Sequence, residues 1–66
     1  MTPIPPAKLT RIRGEFMEMP GLRLTIAQAA RLWALDRDES ARILDDLATA
    51  GFLVRTPAGT YLRMSA

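Results

Sequence analysis

The sequence predicts a small α+β domain, mainly α with a small β-hairpin. Three observations carry that prediction. Three segments place apolar residues at the 3.6-residue period of a helix. Thr25 and Asp36 are each followed three residues later by Gln28 or Glu39, the spacing of a capping box. The closing segment has strand-forming composition on both sides of a Pro57-Ala58-Gly59 turn.

The elements follow in order. Residues 1–6 hold three of the five prolines and read as an extended or disordered tail, since proline removes amide donors and disfavours helix before it. Residues 7–66 form the single domain. Leu9, Ile12, Phe16 and Met19 mark one face of a first helix over about 7–19, which Pro20-Gly21 stops. Leu22-Arg23-Leu24 alternates and can add a third strand to a later hairpin. A second helix, about 25–35, starts at Thr25 and turns Ile26, Ala29, Ala30 and Trp33 inward. A third, about 36–50, starts at Asp36 and buries Ser40, Ile43, Leu44 and Leu47. Gly51 then suits a left-handed helix stop, and residues 52–64 fold back as a hairpin. Only two or three residues separate the second and third helices, so they meet at a sharp angle, the geometry of a helix-turn-helix.

Composition excludes several function classes. A chain of 66 residues buries only about 60% of its unfolded surface, so its core is thin. It has no cysteine and no histidine, which removes disulfides, thiolate metal sites and imidazole chemistry. No catalytic residue, metal or cofactor is expected: the paired carboxylates Asp38/Glu39 and Asp45/Asp46 are helix neighbours that point in different directions. Without a long apolar run no membrane span is expected. The N-terminal residues lack a signal-peptide pattern, so the expected location is cytoplasmic. A small-molecule ligand is not expected either. The net charge of +2 is compatible with nucleic acid but does not require it.

Residues 22–63 resemble the winged helix-turn-helix superfamily of bacterial and archaeal regulators. Leu24-Thr25-Ile26-Ala27-Gln28-Ala29-Ala30 looks like the opening of the superfamily's second helix. Leu35-Asp36-Arg37 looks like the turn into its recognition helix. Ile43-Leu44, Leu47 and Ala50-Gly51-Phe52-Leu53-Val54-Arg55 look like that helix's tail and the strand after it. Residues 14–25 also resemble small uncharacterised bacterial proteins of this build, a likeness that brings no function. The resemblance implies three helices and a short two- to three-stranded antiparallel sheet. It also implies a DNA-binding protein, a transcriptional regulator whose third helix enters the major groove.

Carried over by position, the resemblance implies base-facing positions at Arg37, Asp38, Glu39, Ala41, Arg42 and Asp45, with Arg37, Ala41 and Arg42 the DNA-binding residues among them, and wing and strand contacts to phosphates at Arg55 and Arg63. Arg37 and Arg42 have the guanidinium fork that fits guanine or phosphate, and the alternative for both is pairing with nearby carboxylates. Residues 37–50 carry two positive and four negative charges, which phosphates repel. The alternative function is therefore a protein-interaction module, an adaptor or subunit that presents Asp38, Glu39, Asp45 and Asp46 to a basic partner. On composition alone Glu39 is a capping-box partner, and Asp45 and Asp46 are a solvated face. Phe16, Trp33, Phe52 and Tyr61 are expected in or near the core, and Met17 and Met19 at its edge. The assembly expected is a monomer or a weak homodimer, with residues 1–19 as one route to pairing.

Overall fold

A computed structural model describes residues 6–64. The element order is α1 (Pro6–Glu18), β1 (Arg23–Thr25), α2 (Ile26–Leu32), α3 (Arg37–Thr49), β2 (Leu53–Arg55) and β3 (Thr60–Arg63). The three strands form one antiparallel sheet in the order β1-β3-β2. This is an α+β fold whose layout is compatible with a winged helix.

One core holds the elements together. Ile12 and Phe16 come from α1, Ala29 and Trp33 from α2 and its cap, Ile43, Leu44 and Leu47 from α3, and Leu24, Leu53 and Tyr61 from the sheet. The inward face of α3 is the predicted one: Ser40, Ile43, Leu44 and Leu47 are buried. The Phe16 and Trp33 rings meet at 6.1 Å, a tilted aromatic contact. Phe52 is half-buried against the same core. Met17 and Met19 are not core edges; they stand 52% and 44% exposed, Met17 because it falls on the side of α1 opposite Ile12 and Phe16.

The predicted boundaries shift in instructive ways. Pro6 belongs to α1 rather than to the tail. At the first helical position its missing N–H has no intrahelical partner to lose. The rest of the predicted tail, residues 1–5, lies outside the described residues. The first strand runs over Arg23–Thr25, one residue later than expected, and its Leu24 faces Tyr61 across the ladder. Helix α2 ends at Leu32, three residues before the predicted stop. Ala34 adopts φ 53, and the Leu35 N–H donates to the Ala30 carbonyl at 2.9 Å, the long bond of a Schellman stop. Ala34 thus takes a conformation usually given to glycine, and no sequence signal announces it.

The end of α3 uses the same motif with the expected residue. Gly51 sits at φ 83, its N–H donating to Ala48 at 3.0 Å while the Phe52 N–H reaches Leu47 at 2.9 Å. The β2–β3 connection is a tight turn in which Gly59 N–H donates to Thr56 O at 2.9 Å. Gly59 itself takes φ 85 and re-aligns the two strands, as a bulge residue does.

Candidate nucleic-acid interface

The α2–turn–α3 unit is fixed by its caps. The Thr25 hydroxyl accepts from Gln28 N at 3.1 Å, and the Gln28 side chain accepts from Thr25 N at 2.9 Å, so the first capping box is closed. The second is only half formed. The Asp36 carboxylate accepts from Glu39 N at 2.7 Å, but Glu39 turns away from the cap. Both its oxygens lie 2.9 Å from Lys8 Nζ on α1. A full opposite charge outcompetes a backbone N–H for that carboxylate. Glu39 is therefore not a capping-box partner here; it ties the start of α3 to the start of α1.

Asp45 has a specific task as well. Its carboxylate accepts the hydroxyl hydrogen of Tyr61 on β3. Tyr61 is 1% exposed, and a buried hydroxyl needs a partner. Burial first, and the Asp45 carboxylate second, push the Tyr61 pKa above its ordinary value, while the positive charge of Arg55 opposes the rise. Arg55 and Tyr61 are cross-strand partners. Asp45 of α3, Tyr61 of β3 and Arg55 of β2 therefore stand together, which places α3 and the hairpin on one continuous surface. The solvated-face reading of Asp45 is corrected accordingly, whereas Asp46 is exposed as expected.

Arg37 and Asp38 are exposed on the first turn of α3, and Ala41 and Arg42 are half-buried along it. Arg42 is itself engaged within the protein. Arg55 is exposed beside α3. Arg63 is half-buried, its guanidinium 5.9 Å from the centre of the Phe52 ring. Arg13 of α1 approaches the same ring at 5.2 Å. Two cations thus converge on one aromatic, each contact worth about 0.5–1 kcal/mol at such a partly open site. The structure brings Arg37, Arg42 and Arg55 around α3 and the hairpin, and sets Arg63 apart with Arg13.

One basic feature escaped the sequence reading. Arg23 of β1 and Arg31 of α2 line one open groove with Gln28 and Leu32. The signal was available: residues 19–35 and 47–64 each carry two arginines and no carboxylate. Negative charge is concentrated on α3 and the second half of α1, so the sheet and α2 form the positive side of the molecule. Among the described residues no group of three or more acidic side chains could hold a metal ion, and no helix is long and apolar enough to cross a membrane.

No protein-family model, curated protein or solved structure matches the chain.

Proposed function

We propose that this chain is a winged helix-turn-helix module that binds double-stranded DNA, with a role in transcription regulation. In this reading α3 enters the major groove and the β2–β3 turn lies along the backbone. Arg37 and Arg42 face the bases, Ala41 allows close approach between them, and Arg55 and Arg63 meet phosphates. The observation that carries the reading is the shared surface of α3 and the hairpin, held by Tyr61 and Asp45 with Arg55 alongside. The acidic character of α3 opposes it less than the raw count of carboxylates implies. Glu39 is neutralised by Lys8, which leaves Asp38, Asp45 and Asp46 against Arg37 and Arg42, a net charge of −1.

The test is a salt titration of binding to mixed-sequence duplex DNA. With Arg55 and Arg63 each meeting a phosphate, affinity falls by about one order of magnitude between 50 and 200 mM salt. Backbone amide shifts should then cluster at Arg37, Arg42, Arg55 and Arg63. Absence of binding at low salt, where attraction is greatest, would refute DNA binding by this domain.

A second reading is favoured by one observation: Asp38 and Asp46 both stay exposed on a helix of net negative charge. A basic protein partner would suit that face. Neutralising the pair with Asp38→Asn and Asp46→Asn separates the readings. DNA binding strengthens under the first, and a complex with a basic partner weakens under the second.

A further inference from the structure

Helix α1 has a second face that no other described residue covers. Ile12 and Phe16 point into the core. At about 100° per residue, Thr10, Gly14 and Met17 fall on the opposite side. Thr10 is exposed, and Met17, a large apolar side chain, is 52% exposed. A Cβ placed on Gly14 would meet no atom within 4 Å. Glycine is a poor residue for the middle of a helix, and no contact among the described residues requires it there.

The charges beside this face are self-complementary. Arg11 and Glu18 lie on the same flank of α1, both exposed, and neither forms an ion pair among the described residues. They are two helical turns apart, about 10 Å along the axis, with Gly14 near the midpoint. A second α1 laid antiparallel across this face, with the twofold axis at Gly14, brings Arg11 against the partner's Glu18. Symmetry repeats the contact with the roles exchanged. In a parallel pair the twofold axis carries this flank to the far side of the seam, so Arg11 does not meet the partner's Glu18, and the charges select the antiparallel arrangement.

We propose that the outer face of α1 is an interface with a second copy of this chain, centred on Gly14. The missing Cβ lets the two helix backbones approach closely. Met17 packs over the partner's Thr10. Arg11 and Glu18 close the contact at its edge. A helix of 13 residues is only about 20 Å long, so the pair covers less than the 1,200–2,000 Å² of a standard stable interface. The dimer is weak and depends on protein concentration. Its existence does not rest on DNA binding, since assembly is read on the protein alone.

Sedimentation equilibrium of the whole chain, from micromolar to millimolar concentration, tests the proposal. A reversible dimer is expected. Glu18→Arg or Arg11→Glu alone turns two attractions into repulsions and weakens dimerisation about tenfold. The exchange Arg11→Glu with Glu18→Arg restores it to about the original level, which a merely disruptive substitution does not do. Circular dichroism confirms that each variant is folded. A chain that stays monomeric at millimolar concentration would overturn the proposal. So would a dimer insensitive to either charge reversal, or one that the exchange fails to restore.

Discussion

The bond between Tyr61 and Asp45 predicts a specific pattern of non-additive stability. Tyr61 is buried, whereas Asp45 is exposed apart from this contact. Tyr61→Phe keeps the ring and removes the hydroxyl, and water can rehydrate the Asp45 carboxylate. The cost is the net worth of the bond, about 1 kcal/mol. Asp45→Ala is the worse change at the bond itself, because it strands a buried hydroxyl at about 2 kcal/mol. Alanine's better helix propensity returns about 0.6 kcal/mol, leaving a loss near 1.4. The double variant strands nothing. It loses one bond and keeps the propensity gain, for a net cost of about 0.4 kcal/mol. The two single losses exceed that by about 2 kcal/mol, a coupling within the range of directly interacting groups. Urea unfolding followed by Trp33 fluorescence measures all three variants. Single losses that add to within about 0.5 kcal/mol would refute the bond as a connection between α3 and the hairpin.

Other substitutions test the backbone and the core. Gly51→Ala forces a side chain into φ 83 and should cost about 1–2 kcal/mol, whereas Gly14→Ala, with open space around the new methyl, should raise the stability of the monomer by about 0.8–1 kcal/mol; thermal melts at low protein concentration read both. The Ser40 hydroxyl is buried without a hydrogen-bond partner among the described residues, so Ser40→Ala should be neutral or stabilising by up to about 2 kcal/mol, and a loss of 1 kcal/mol or more would contradict that burial. Tyr61 is the single tyrosine, so its ionisation can be followed by absorbance without interference. Its folded pKa lies above the unfolded value of 10.0, so the stability it contributes is complete below about pH 10 and is lost as pH rises through the folded pKa. A tyrosinate transition at or below pH 10 in the folded protein would contradict this.

What the sequence makes legible here is what repeats locally. The inward face of α3 follows from the spacing of Ser40, Ile43, Leu44 and Leu47, because a helix turns at a fixed period. Gly51 marks its own stop, and the Thr25–Gln28 box closes between partners only three residues apart. The roles of Glu39 and Asp45 are hidden for the opposite reason. Lys8 and Glu39 are 31 residues apart, and Asp45 and Tyr61 are 16 apart. Each local pattern around these acids is satisfied by a bland surface reading, and only the packing of α1 and β3 against α3 gives them partners. The end of α2 escaped because alanine carries no sign that it will take a left-handed conformation. It does so at Ala34 because Trp33 and Leu35 both pack at the core on either side of it.

The order of strands in the sheet has a consequence for synthesis. β3 lies between β1 and β2, yet it follows both in the chain. While the ribosome is still making the hairpin, Arg23–Thr25 has no strand to pair with, and Leu24 has no Tyr61 to cover it. At about 5–20 residues per second that interval lasts on the order of seconds. The helices can gather during that time, but the sheet can only close in one step, when Thr60–Arg63 arrives and bonds on both edges at once. A chain ending before Thr60 would leave both β1 and β2 without a partner strand and Leu24 uncovered.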